Sequence, residues 1–302
     1  MGDRVRWPLL AEYVLAQDGN AARTMVDVPE EERMTASPES RPNLLPGVAE
    51  NWRPPRYVRL SSRWQKVRAT FLRFLDLQSG TIWRDLARLL PGERGQILDV
   101  GCGMQPYRSL IGREASYVGI DVSGAEKDFG FQSPDTTYYA GDRWPVDSGS
   151  VDCVLCVETL EHVKDSRGFV AEISRALRPG GRVILTVPFC ARWHFIPHDY
   201  WRFTPSGFAA LFADSGLTDL KVWARGNQLT VACYKVMALV FSLLSKGKRR
   251  LLRALLGILS LPVFFLALVL ANLSLRVPGT VDCIGYTVLA RKEPFDRPVS
   301  LY

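Results

Sequence analysis

The sequence predicts an α/β protein built on a doubly wound, mostly parallel sheet, with an apolar helical insertion before the last strand. Three observations carry this. From residue 95 onward, short apolar runs rich in β-branched residues alternate with stretches of helical spacing. The first run, "GQILDV", passes directly into a glycine-rich turn, "GCGMQPY", at 101–107. The chain has 302 residues and is 47% apolar, enough for one large α/β domain with additions.

The elements follow in order. Residues 1–55 mix charges and prolines without a sustained period, which predicts poor order. Helices are expected over 56–92, beginning with an amphipathic one at 56–77. Positions 51–75 hold seven basic residues and no acidic one, as either a solvated helix face or a surface that meets phosphate or lipid. After the first strand, "PYRSLIG" reads as a helix start and "ASYVGID" as the second strand. "TTYYAG" and "SVDCVLCVE" are the third and fourth. "SRGFVAEISRAL" places Phe169, Val170, Ile173 and Leu177 on one helical face, and "PGGRVILTVPF" turns into a fifth strand. In "TPSGFAALFADSG", Thr204 suits an N-cap, Pro205 the first helical position and Gly216 the helix end. "TDLKVWARG" is the sixth strand and "DCIGYTVLARK" the last. The main domain is therefore expected at 93–228 and 280–293, interrupted by an insertion at 229–279.

The net charge of +7 suggests an anionic partner. No aromatic–basic reading motif is evident, so no nucleic acid is expected. Cys153 and Cys156 form a CxxC inside a strand, where they point to opposite faces. Without a second CxxC they read as buried small residues, and no metal site is expected. The N-terminal "VRWPLLAEYVLAQDG", broken by Pro8 and Glu12, does not read as a signal peptide, which favours a cytoplasmic setting.

A Gly-x-Gly turn at a strand's carboxyl end is where an open α/β sheet binds its ligand. Gly101 and Gly103 let backbone approach that ligand, and Asp121 can accept both hydroxyls of a ribose. The third glycine of a dinucleotide fingerprint is missing, which counts against NAD. Five motifs then appear in order: "ILDVGCG", "YVGIDVS", "WPVDSGSVDCVLCVETLEHV", "LRPGGRVILTVPF" and "HDYWRFT". Together they resemble class I S-adenosylmethionine (SAM)-dependent methyltransferases, specifically the type 11 methyltransferase domain. The match is to the bacterial subgroup with GCGxxPYR and HxxPxDYxRxT, over about 95–220 and the final strand.

The resemblance implies a Rossmann-like, seven-stranded sheet with an antiparallel last strand. It also implies SAM as cofactor, with the glycine loop at its methionine end. Asp99 would reach the methionine amino group, Asp121 the ribose and Val122 the adenine face. Asp142 or its neighbour would face the adenine amino group, with Trp144 as an alternative core residue. Glu158 would border the methyl donor.

The chain has three histidines, His162, His194 and His198, all expected on the rim above the sheet. Methyl transfer from a sulfonium needs alignment and often removal of a proton, which a histidine can accept. These three residues, with Asp199 to orient an imidazole, are the candidate catalytic group. Tyr200 and Arg202 are candidate substrate contacts, although an Asp199–Arg202 ion pair could instead pin the loop. Phe195 stands where the subgroup often has Glu.

Residues 254–275 carry no charge over 22 positions, long enough to span a bilayer. One crossing would leave the last strand on the wrong side. Two would put "SKGKRR" outside, against the positive-inside tendency. A hairpin lying in the cytoplasmic leaflet is therefore expected, with Lys246, Lys248, Arg249, Arg250 and Arg253 on anionic headgroups. An oligomer interface or a substrate lid are the alternatives. The expected activity is O-methylation of a lipid-linked glycan or another amphiphilic small molecule at the inner membrane face. Its rivals are a non-catalytic membrane-bound scaffold and an NAD-dependent oxidoreductase.

Overall fold

The structure is a computed structural model that describes residues 62–130, 132–133, 135–195, 197–244, 250–279 and 281–294. The expectation for 1–55 and the basic cluster at 246–249 lie outside the described residues, as do the side chains of Arg250 and Arg253.

Seven strands form one sheet: β1 (Gly95–Val100), β2 (Ala115–Val122), β3 (Thr136–Tyr139), β4 (Val151–Val157), β5 (Leu177–Pro188), β6 (Leu217–Arg225) and β7 (Gly285–Lys292). Their order is β3-β2-β1-β4-β5-β7-β6. β1 to β5 pair in parallel, and β7 runs antiparallel between β5 and β6. The order reverses at β1 and β4, so the crevice that receives a ligand lies over their carboxyl ends. Cys153 and Cys156 are fully buried in β4.

Helices cover both faces. On one, α1 (Arg63–Leu75) leads into α2 (Leu77–Leu89), whose Ile82 and Leu86 pack with Ile97, Leu155 and Ile184. On the other, α4 (Ser166–Ala176) buries Phe169, Val170 and Ile173, and α5 (Pro205–Phe212) buries Phe208 and Phe212. A short α3 (Ala125–Phe129) follows β2. The Thr204 hydroxyl accepts from the Gly207 amide 3.0 Å away and caps α5, with Pro205 in its first turn.

Two local readings change. The helix expected over 56–77 stops at Leu75, because the Asp76 carboxylate accepts from the Gln78 and Ser79 amides and starts α2 in a new direction. "PYRSLIG" forms only a 3-10 turn at Arg108–Leu110, since Gly112 and β2 follow at once.

The insertion folds as three helices rather than a hairpin: α6 (Gln228–Leu244), α7 (Arg250–Leu259) and α8 (Leu261–Ser274). Pro262, in the first turn of α8, divides the uncharged run. Among the described residues, no helix is long and apolar enough to cross a membrane. Cys233, Met237 and Val240 of α6 pack against Phe264, Ala267, Leu268 and Ala271 of α8, and this cluster rests on Leu77 and Ile284 of the main body. The ends of the insertion meet. Asn227 donates to the Ser274 and Val277 carbonyls, Thr230 and Ser274 share a 2.6 Å hydrogen bond, and Gly279 lies directly on the Gly226 carbonyl.

Candidate active site

The cofactor side is made mainly by backbone. After β1 the chain turns sharply, and the amides of Gly101 and Cys102 both donate to the Ile120 carbonyl. Gly101 has φ +68°, and a Cβ there would strike Thr159. Gly103 has φ +49°, and a Cβ there would enter open space, so the loop is bare on its outer side. The Asp121 carboxylate ends β2 and accepts from the Gly103 amide at 2.9 Å and the Val122 amide at 2.8 Å. These bonds tie the loop to the strand and leave acceptor capacity for ribose hydroxyls. Val122 beside it is 52% exposed, an apolar surface suited to a flat base.

Asp99 lies beneath the loop, 3% exposed, and accepts from the Tyr117 hydroxyl at 2.7 Å. Burial, with a smaller contribution from the nearby Asp121 charge, pushes its carboxyl up to about 7. A buried carboxyl in this state gains from an arriving ammonium group. The bare loop, two carboxyls and exposed valine have the chemistry that the resemblance implies for Asp99, Gly101, Gly103, Asp121 and Val122 as residues that would hold SAM. Asp142 sits exposed in the segment after β3, while Trp144 is buried edge-on to Phe169, in the core as the alternative had it.

The acceptor side is made by side chains from distant segments. Glu158 follows β4 with φ +49°, unusual for a residue with a Cβ. Its carboxylate accepts from Arg225 Nη2 at 2.8 Å. Arg225 ends β6, is fully buried, and also donates to the Val187 carbonyl; its Nε and Nη1 have no partner. Only a glycine fits at 285, because a Cβ there would strike this guanidinium.

The three histidines do gather on one rim. The rings of His162 and His194 meet edge-on at 4.9 Å, with Phe195 edge-on to His162 at 5.3 Å. His162 Nδ1 lies 2.7 Å from the His198 carbonyl, and burial, followed by the His194 charge, lowers its pKa to about 4. His198 is exposed, with Nδ1 3.3 Å from the Tyr200 hydroxyl. Asp199 does orient an imidazole: Oδ2 lies 3.1 Å from His194 Nδ1. Burial alone would raise the Asp199 pKa, but hydrogen bonds from Arg202 and His194 outweigh it and hold the carboxyl well below its ordinary range. Arg202 grips both Asp199 oxygens, at 2.6 and 2.8 Å, and also reaches the Trp201 and Arg192 carbonyls. An anionic substrate would have to compete with that pair.

Sequence reasoning missed Arg225 and Glu161. Glu161 is fully buried, and neither of its carboxylate oxygens has a hydrogen-bond partner. One ligand atom from each of Glu161, His162 and His194 lies within 4.8 Å of the others. The visible signal for Glu161 was the acid–histidine pair of "LEHV", one turn after Glu158.

Comparison with known proteins decides the family. The methyltransferase-domain family matches residues 71–231, more than half the chain. The chain belongs to that family. It is a methyltransferase, and its cofactor is SAM. This replaces the oxidoreductase and scaffold readings. A ubiquinone biosynthesis O-methyltransferase of Rhizobium leguminosarum bv. trifolii is 28% identical over 206 residues, 62% of this chain and 74% of that protein. The enzyme of the same name from Rhizobium rhizogenes is 30% identical over 53% of this chain and 63% of its own length. Among solved structures, a SAM-dependent methyltransferase of Thermotoga maritima has a TM-score of 0.46 at 14% identity, covering 76% of this chain and 97% of its own.

Proposed function

We propose that the enzyme transfers the methyl group of SAM to a hydroxyl of an amphiphilic, lipid-linked acceptor, such as a lipid-linked glycan, at the cytoplasmic membrane face. The observation that carries this reading is the exposed apolar surface of the insertion. On α7 and α8, Leu255, Ile258, Leu259, Val263, Phe265 and Leu266 all face outward; Leu259 is 65% exposed. Contiguous exposed apolar surface of this kind marks an interaction site. Tyr234 of α6 packs against the cluster that fastens α6 and α8 to the main body. An acceptor whose tail stays in lipid can present its head to the histidine rim. The activity named for the rhizobial relatives supports oxygen as the acceptor atom.

Bound SAM supplies a methyl group activated on a sulfonium. The glycine loop, Asp99 and Asp121 fix its position, which is most of what an in-line displacement requires. His198, exposed on the rim beside Tyr200, takes the hydroxyl proton. Asp199, locked by Arg202, positions His194.

The test uses the full-length protein with vesicles containing phosphatidylglycerol. Wild type floats with the vesicles, and high salt releases only part of it, because each basic residue near the surface contributes about 1 kcal/mol and apolar burial more. The Leu255→Asp/Leu259→Asp/Leu266→Asp variant stays behind yet keeps its SAM affinity. Membrane extract incubated with methyl-labelled SAM gives a lipid-extractable methyl ether. Equal flotation of both proteins, or label confined to water-soluble products, would overturn the proposal.

A further inference from the structure

We infer that α1 docks on an anionic phospholipid surface, with the stripe Trp64, Val67, Phe71 and Phe74 seated in the interface. The helix is turned against its own composition. It spans 13 residues and buries none of them. Trp64 is 83% exposed, and Val67, Phe71 and Phe74 are exposed with it. Their spacing holds the four side chains within an arc of about 80° on one side of the helix. The partly covered positions, Gln65, Ala69, Leu72 and Arg73, lie on the opposite side. The bulkiest apolar groups of α1 therefore point away from the body of the protein.

That orientation is fixed by contacts on the inner side. Ser62 and Gln65 form a capping box, with bonds of 3.1 and 3.2 Å, that starts the helix. Arg73 lays its guanidinium over the Trp83 ring of α2, 3.2 Å from the ring centroid. Gly80 of α2 packs on the Arg73 carbonyl, where a Cβ would not fit. Leu75 packs against the cluster that holds α6 and α8. With these contacts made, the stripe cannot roll inward, and only a surface outside the body can cover it.

Charge chooses the surface. Arg63 and Arg68 flank the arc, one on each side, and Lys66 lies further round; all three are exposed, and α1 has no acidic residue. Aromatic residues between cations suit a helix lying among headgroups, its rings at the acyl boundary and its cations on phosphates. A second copy of α1 would instead bring like charges together. The Asn272 side chain of α8 donates to the Phe74 carbonyl at 3.1 Å, which sets the end of the stripe beside exposed Val269 and Leu273. α1 and α8 thus share an edge, and one lipid surface can take both. The inference adds a charged contact to the membrane reading of α7 and α8, and rests on that reading only for the side of the bilayer it meets. Trp83, under Arg73, lies 6.3 Å from Tyr107 of the glycine-turn segment, so seating α1 fixes the crevice relative to the lipid.

The experiment uses full-length protein and phosphatidylcholine vesicles with or without phosphatidylglycerol. Trp64→Ser/Phe71→Ser should weaken partition into the phosphatidylglycerol vesicles at least tenfold. Arg63→Gln/Lys66→Gln should weaken it there by roughly tenfold or more, and change little on phosphatidylcholine alone. Trp64→Phe should float as wild type does, yet lose part of the emission quenching that acyl-brominated phosphatidylglycerol gives wild type. Unchanged SAM affinity reports an intact fold; if the serine pair loses it, Phe71→Ser alone takes its place. Wild-type partition by the folded serine variant, or equal quenching in wild type and Trp64→Phe, would overturn the inference. So would a wild-type dimer that the serine variant turns into a monomer without vesicles, which would make the stripe an interface between copies. Flotation lost only in the Leu255→Asp/Leu259→Asp/Leu266→Asp variant would remove the role of α1 and keep that of the insertion. Flotation and Trp64 quenching that both persist in that variant would do the reverse.

Discussion

The two halves of the crevice meet the same problem, carboxylates wholly or partly removed from water, with opposite materials. On the cofactor side, Asp121 is satisfied by two backbone amides within its own loop and strand, and Asp99 by one tyrosine on the adjacent strand. On the acceptor side, Glu158 depends on Arg225, 67 residues away, and Glu161 has no hydrogen-bond partner. The first half is a backbone device that tolerates little change. The second is an assembly of side chains whose chemistry can be altered one residue at a time. In the proposed function, cofactor binding sits on the first, and choice and activation of the acceptor on the second.

The largest expected effect separates the halves outright. His198→Ala should slow methyl transfer by roughly 10²–10⁴ while SAM affinity stays within twofold, measured by single-turnover kinetics and calorimetry. Full turnover would mean that His198 is not the base, and full turnover in the His162→Ala and His194→Ala variants as well that alignment alone suffices. Next comes the long-range pair. Glu158→Gln leaves the buried Arg225 charge without its counter-charge and should cost about 3 kcal/mol in urea unfolding. An unchanged midpoint would show that Glu158 is not what balances that guanidinium.

On the cofactor side, Asp121→Ala removes both the ribose acceptors and the anchor of Gly103. Charge-assisted hydrogen bonds contribute about 1.5–3 kcal/mol each, so SAM affinity should fall tenfold or more. Calorimetry giving wild-type affinity would dissolve the contrast, because the loop would then hold SAM without its carboxylate. The smallest effect is a pH slope. Asp99 ionises near its ordinary range in the unfolded chain but at about 7 in the folded one. Between those values the folded state holds the extra proton, so this group makes stability fall as pH rises. Wild type should lose about 2–3 kcal/mol relative to Asp99→Asn between pH 5 and pH 8, and saturating SAM should shrink the difference. Parallel stability curves would place Asp99 in a more polar setting than its burial implies.

The same contrast explains what could be read from the sequence. The glycine turn, Asp121 and the strand succession were legible because local backbone geometry demands those residues at those spacings. Thr204 and Pro205 announced α5 for the same reason. The break at Asp76 was hidden inside one long amphipathic pattern, since a capping carboxylate is visible only once the chain has turned. Glu161 looks like an ordinary acid beside a histidine; its burial shows only in the folded chain, where the Tyr200 and Trp201 amides reach its carbonyl from another loop. Arg225 ends an otherwise unremarked strand, and only the β5-β7-β6 order brings it beneath Glu158. The apolar insertion was plain from composition, yet its division into three helices depended on one proline in the first turn of α8.

The narrow neck of that insertion has a consequence in chain entropy. The helices leave at Gly226–Asn227 and return at Val277–Gly279, points already in contact. Closing an excursion of about fifty residues instead of a short turn costs the folding chain roughly 2 kcal/mol, which the cluster around Leu77 and Ile284 must offset. Exchange of this segment for a brief polar turn therefore relieves a closure cost without disturbing the antiparallel β6–β7 pairing. The insertion is in this sense a detachable cassette: a lineage could acquire, lose or swap it while the catalytic sheet kept its register.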